Sequence, residues 1–251
     1  MTDARITDAP VTDLLEATSP SWLADNVARV RATIADAAAR SGRRAEDVQL
    51  VAVSKTQPAE RVAQVAALGV ERFGENRVQE GQAKIPRVRE LAGRGLSWDM
   101  IGSLQRNKVR PCLGLFGLIQ SVDSLALAEA ISARAEGRAA TILLEVYFGD
   151  DPARPGFRPA ALLDDAHHVL GLQSIDVRGL MTVAPFGSTA DEARGVFRRL
   201  RELRDALRAR YPSARLDELS MGMTDDYPLA IEEGATIVRV GRAIFGERAT
   251  R

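Results

Sequence analysis

The segment QLVAVSKTQP, residues 49–58, decides the fold and carries the first hint of chemistry. Its run LVAVS (50–54) shows no polar alternation, the pattern of a strand buried on both faces. Pro58 then opens a helical pattern that closes near Gly69. The same strand-then-helix figure recurs down the chain. ERFGE (71–75) precedes a helix over 78–91, WDMIG (98–102) leads into 105–109, and LFGLIQSV (115–122) leads into a helix starting near Asp123. TILLEVYF (141–148) is followed by a loop and a helix over 160–170, and VRGLMTV (177–183) by a long helix over 190–210. In that long helix Val196, Leu200, Leu203 and Leu207 form one apolar face. ELSMG (218–222) precedes a helix over 228–233, and TIVRVG (236–241) closes the series. Ahead of the first strand, Leu23, Val27, Val30, Ile34 and Ala38 mark one more helix, capped by Ser21 and ended by Ser41-Gly42.

Eight strand–helix units in 251 residues predict an α/β fold, a single closed (β/α)8 TIM barrel over 21–251 with an extra N-terminal helix. An open, doubly wound sheet uses the same pattern and is the alternative. Residues 1–20 mix Thr, Asp, Ala and Pro without helical period and read as a flexible tail. No repeat or low-complexity linker divides the chain.

Composition removes several classes of function. Apolar residues make up 45% and charged residues 27%, as in ordinary globular proteins. The 34 basic residues equal the 34 acidic ones, which argues against a nucleic-acid binder. Cys112 is the single cysteine, so an internal disulfide or a cysteine metal cluster is excluded. His167 and His168 are adjacent, late in a helix before Gly171, and read as surface residues rather than metal ligands. No apolar stretch approaches the ~20 residues of a membrane span, and the polar start does not resemble a secretory signal. A cytoplasmic protein is the expectation.

Barrels of this kind collect chemistry at the carboxyl ends of their strands. Those ends carry Lys55, Glu75-Asn76, Gly102-Ser103, Met221-Gly222-Met223-Thr224, and Arg239 with Gly241. The Lys55 amine can condense with an aldehyde if its surroundings keep it partly neutral; a solvated lysine is the bland reading. MGMT and VGR offer glycines, a hydroxyl and backbone N–H groups suited to a phosphate, although tight turns would also explain the glycines. Arg239 alternates with Val238 and Val240 and therefore points inward. Its permanent charge needs a partner, either a carboxylate such as Glu75 or the ring nitrogen of a cofactor. Asn76 reads as a helix N-cap, Trp98 as core, and LQRNKVR (104–110) as a solvated cationic face able to attract an anion.

Five segments, VAVSKTQP, FGENRVQE, IGSLQRNK, LSMGMTDDYPLAIEEGAT and VRVGRAIFG, resemble the YggS/PROSC family of pyridoxal phosphate homeostasis proteins. They do so in order, over roughly residues 22–248. The resemblance implies the fold of the alanine racemase N-terminal barrel and pyridoxal 5′-phosphate as cofactor. It implies that Lys55 holds the cofactor as a Schiff base, with Asn76 beside the ring and Arg239 facing the pyridine nitrogen. Thr224 stands where the family has a phosphate-binding serine, in a turn lined by Met221, Gly222 and Met223. Gly241 and Arg242 stand where the family binds phosphate through backbone amides. This chain departs from the family at Ser103, where many members have histidine, and at Arg77, where tyrosine or lysine is common. Arg242 replaces a threonine or serine, and EVYFGDDPARPGF replaces an Asn-rich segment after strand five.

An arginine holds its proton too tightly to protonate a pyridine, so a cofactor facing Arg239 is a weak electron sink. The resemblance also implies that the separate domain supplying alanine racemases with an opposite-face tyrosine is missing, since the chain stops at Arg251. The remaining tyrosines, Tyr147, Tyr211 and Tyr227, show no sign of replacing it, with Tyr147 alone left open by its place near the end of strand five. The expectation is a monomeric carrier in pyridoxal phosphate homeostasis that hands cofactor to apo-enzymes without robust catalysis. A racemase-type enzyme of weak or narrow activity is the alternative; a barrel aldolase using Lys55 on a sugar phosphate is a third.

Overall fold

A computed structural model describes residues 20–247. The expected tail therefore lies outside the described residues, Pro20 apart. The eight expected strands are present as β1 (Gln49–Val53), β2 (Arg72–Glu75), β3 (Ser97–Met100), β4 (Leu118–Val122), β5 (Ala140–Glu145), β6 (Ile175–Met181), β7 (Glu218–Ser220) and β8 (Ile237–Val240). All neighbours run parallel and β1 pairs with β8, with Val51 opposite Arg239 and Ala52 opposite Val240, so the sheet closes. Closure removes the open-sheet alternative.

Nine α-helices flank these strands among the described residues: α1 (Ser21–Arg40), α2 (Ala59–Ala67), α3 (Val78–Ala92), α4 (Val109–Leu113), α5 (Leu125–Ser132), α6 (Pro159–Leu170), α7 (Ala190–Arg210), α8 (Tyr227–Glu232) and α9 (Arg242–Phe245). Helix α9 has only one turn, too short to cover the β8 side of the barrel. The extra helix α1 compensates. Its Leu23, Val27, Val30 and Ile34 are buried, and Asn26 Nδ2 donates to the Ile244 carbonyl at 3.1 Å. At its far end the Arg43 guanidinium donates to the Ala235 carbonyl at 2.8 Å.

Several helix starts differ from expectation. Ser21 is the first helical residue of α1 rather than its cap; Pro20 holds that place, whose fixed φ suits a helix entry without a side-chain bond. Asn76 does not cap α3, because the extended residue before that helix is Arg77. The segment 105–109 forms a 3-10 turn, Arg106–Lys108, before α4 begins. On α7 the centre of the apolar face is Phe197, fully buried, while Val196 is only partly covered.

Inside the barrel, Val51, Leu118, Leu143, Met181 and Ile237 form an apolar layer. Two residues further along β4, β5 and β8 the same inward face presents Gln120, Glu145 and Arg239. The barrel axis thus changes from apolar to polar toward its carboxyl end.

Candidate functional site

Six of the expected site residues open onto one cavity of about 190 Å³ at the carboxyl end of the barrel: Lys55, Met223, Thr224, Arg239, Gly241 and Arg242. They come from the ends of β1, β7 and β8, which closure makes neighbours. Met221 and Gly222 lie buried beneath the same rim. Asn76 and Ser103 instead line an adjoining cleft of about 560 Å³, with Arg77 and Lys108. A larger cavity, about 840 Å³, lies at the opposite end beside α1 and the starts of β1 to β3, away from these groups.

The β7 and β8 loops meet closely. Gly222 has φ +91°, and a Cβ there would come within 2.6 Å of Ala230 Cβ and 2.8 Å of Tyr227 Cα, so no larger residue fits. The Met223 N–H donates to Asp226 Oδ1 at 2.6 Å, which ties the turn to the start of α8. Burial pushes the Asp226 carboxyl above the ordinary range, opposed by that bond and by Arg239. Thr224 Oγ1 lies 3.5 Å from the Ala243 N–H, so a hydroxyl of one loop meets a backbone donor of the other. The Arg242 guanidinium bonds Asp225 and reaches Glu247 at 3.5 Å, so its charge is balanced by carboxylates on the rim.

Arg239 is buried, yet it does not pair with Glu75 as one reading suggested. Glu75 is taken by Lys84 Nζ at 2.7 Å and the Ser54 hydroxyl at 2.7 Å, on the β1–β2 side. Arg239 donates instead to the Thr182 carbonyl at 2.8 Å and to Ser220 Oγ. A guanidinium can only donate, so Ser220 accepts there and donates its own O–H to Gln120 Oε1 at 2.6 Å. Gln120 in turn donates through Nε2 to Asp99 Oδ2 at 2.7 Å, and Arg72 Nε reaches Asp99 Oδ1 at 3.1 Å. One buried chain therefore runs from the mouth, Arg239–Ser220–Gln120–Asp99, with every donor pointing the same way. Burial lowers Arg239 to about 10, against the pull of Glu145 and Asp226.

Glu145, at the end of β5, is raised to about 7 by burial and by Asp123, with Arg239 and Arg154 opposing. A carboxyl so placed exchanges a proton near neutral pH. Tyr147 is not among the residues lining the Lys55 cavity. Its ring lies under the Arg158 guanidinium at 4.6 Å, and its hydroxyl packs close to Gly149.

Sequence reasoning missed Asp99, Gln120, Ser220, Glu145 and Lys84. A signal existed for two of them: Gln120 and Asp99 are large polar residues within short buried strands, and a polar residue facing a closed barrel must have a buried partner. Nothing in the spacing pairs β3 with β7. Trp98 is buried against Phe73 at 5.4 Å, and both histidines are exposed on α6, as expected.

A lysine past β1 that shares a cavity with the β7 and β8 loops of a closed parallel barrel defines a barrel of the alanine racemase type, and residues 26–249 match the family described as "Alanine racemase, N-terminal domain". The chain belongs to the YggS/PROSC family of pyridoxal phosphate homeostasis proteins. It is 40% identical over 226 residues to the pyridoxal phosphate homeostasis protein of Aquifex aeolicus, covering 89% of this chain and 97% of that one. The Escherichia coli protein of the same name is 39% identical over 228 residues, covering 90% and 97%. Among solved structures, PipY of Synechococcus elongatus with PLP bound superposes with a TM-score of 0.79 at 39% identity, covering 89% of this chain and all of that one. Alanine racemase from Corynebacterium glutamicum, at 15% identity and a TM-score of 0.65, shares the fold over 91% of this chain and 62% of its own.

Proposed function

We propose that this protein holds pyridoxal 5′-phosphate reversibly through Lys55 and serves pyridoxal phosphate homeostasis as a carrier. The observation that carries this reading is the single cavity shared by Lys55, Thr224 and Arg239. The residues fit the group. Lys55 supplies an amine for the aldehyde, and condensation to a Schiff base expels one water. Thr224 and the Ala243 N–H offer a hydroxyl and a backbone donor to the phosphate, beside a turn that only glycine permits at position 222. Arg239, fixed by Thr182 and Ser220, can present only N–H groups to the pyridine nitrogen, which leaves that nitrogen unprotonated. When bound, the cofactor would supply an electron sink, and this arginine keeps that sink weak. Holding without turnover suits a protein that limits free aldehyde in the cytoplasm and releases it to apo-enzymes, acting as a monomer.

Transfer tests the proposal. Loaded protein freed of excess cofactor is expected to restore activity to an apo-enzyme dependent on pyridoxal phosphate, while unloaded protein does not. Loaded protein that restores nothing would contradict the carrier role. Glu145, on the inward face of β5 two residues beyond Leu143 and within the electrostatic reach of Arg239, favours a second reading, weak amino-acid turnover, with its carboxyl raised to about 7. That reading predicts slow racemisation of small amino acids, lost in Glu145→Gln; no turnover across a panel of D- and L-amino acids contradicts it.

A further inference from the structure

Lys55 sits in a tight turn whose backbone is unusual. The Gln57 N–H donates to the Ser54 carbonyl at 3.0 Å, closing a turn over Lys55 and Thr56. Thr56, at the third position, has φ +66°, a region that L residues avoid and that β-branched residues avoid most. Lys55 keeps a negative φ, so the pair has the pattern of a type II turn, where glycine or asparagine is ordinarily required at Thr56's place. A strained residue beside a functional side chain persists only where its surroundings over-determine it.

Those surroundings are a buried polar knot carried by α3. Lys84 Nζ donates to the Ser54 carbonyl, Glu75 Oε1 and Glu80 Oε1, each at 2.7 Å. Its three protons are thereby all used. Glu80 Oε1 also accepts the Thr56 N–H at 2.6 Å. Lys84 and Glu75 are almost fully buried and Glu80 is a quarter exposed. The two residues flanking Lys55 are thus both tied to one ion pair, Ser54 to Lys84 and Thr56 to Glu80. An i,i+4 pair on a helix face would otherwise contribute little. Here it closes over the two ends of the Lys55 turn.

We infer that Glu80 and Lys84 form a clasp that holds Thr56 in its left-handed conformation and so aims the Lys55 amine at the aldehyde it captures. Both are positioning residues, and neither lines the cavity onto which Lys55 opens. The inference rests on the carrier reading for the identity of the aldehyde, but the clasp can be read without it. A misplaced amine should react slowly, since small displacements of a reacting group cost about 10- to 100-fold in rate.

The experiment compares wild type with Glu80→Ala, Thr56→Gly and the double variant. Glu80→Ala is preferred to Lys84→Met because it leaves the buried Glu75–Lys84 pair intact. Hydrogen exchange at the residue 56 amide reads the clasp in cofactor-free protein. Borohydride fixation of added pyridoxal 5′-phosphate, followed by peptide mass, reads the rate of capture at Lys55. Glu80→Ala is expected to expose the Thr56 amide to exchange and slow capture about tenfold. Adding Thr56→Gly should restore most of the rate, because glycine takes the positive φ without help. A merely structural loss would not be rescued by removing a side chain. Undiminished capture by Glu80→Ala, or no rescue by Thr56→Gly, overturns the clasp. Wild-type protein that protects the amide yet yields no adduct at Lys55 overturns the carrier reading itself, and the aiming role with it.

Discussion

Asp99 lies at the foot of the barrel's polar chain and has almost no exposure. Burial raises its carboxyl to about 6 from an ordinary 3.8, although Arg72 and Gln120 pull the other way. Between those values the folded chain binds a proton that the unfolded chain does not. The contribution of Asp99 to stability therefore falls as pH rises from about 4 to 6 and stays low above that. Asp99→Asn removes this dependence. The difference in unfolding free energy between the variant and the parent should shift toward the variant by about 2 kcal/mol on going from pH 4 to pH 7. Urea unfolding at the two pH values measures it; a difference unchanged with pH would contradict the assignment. Gly222 gives a second residue-scale test. Gly222→Ala forces a Cβ against Ala230 and Tyr227 at positive φ, and should cost about 2 kcal/mol or more in thermal or urea unfolding. A neutral substitution would mean that the β7 turn yields more easily than its contacts indicate.

At the scale of elements, the strands were legible because closed parallel sheets bury both faces, which leaves runs such as LVAV and TILLE without alternation. Helix ends were less legible. Ser21 and Asn76 have the chemistry of caps, but extended backbone at Pro20 and Arg77 decides where α1 and α3 begin, and that backbone is set by packing. The site divides in the same way. Lys55 and the β7 and β8 loops could be read from motif and strand-end position, whereas the partners of Arg239 and Glu75 depend on which strands face one another across the barrel. Charge on α7 shows the limit well. Arg194, Arg198 and Arg201 lie on one face of a polar helix and would pass as solvated, yet all three reach Glu233, just past α8, at 3.3, 3.0 and 3.0 Å. Burial pushes the Glu233 carboxyl up, but Arg198 and Arg194 more than offset this and hold it below the ordinary range. Its stabilisation is present above the ordinary carboxylate pKa and is lost as pH falls through the depressed one. Glu233→Gln should cost about 2 kcal/mol at neutral pH, discounted for the partly exposed arginines, with the loss shrinking in acid. Equal destabilisation at pH 3 and pH 7 would contradict an ionic origin.

Across the whole molecule, closure of the barrel does the functional positioning. Lys55 and Arg239 are far apart in sequence, and they share a cavity only because β1 and β8 are neighbours. The one-turn α9 leaves the β8–β1 flank to α1, so that the helix preceding the barrel covers the seam where it closes. Leu23→Ala, which empties a fully buried position on that helix, should destabilise the protein by about 3 kcal/mol. It should also weaken cofactor retention, since the β8 loop loses its support. Retention unchanged at the lowered stability would separate α1 from the site.

Whether Lys55 holds the cofactor is read from the absorbance spectrum of the protein mixed with pyridoxal 5′-phosphate and freed of excess. A visible band from cofactor joined to a lysine should remain with wild-type protein, and Lys55→Ala, folded by circular dichroism, should show none. Wild-type protein without the band, or a Lys55→Ala variant with the same band at full strength, would contradict the account.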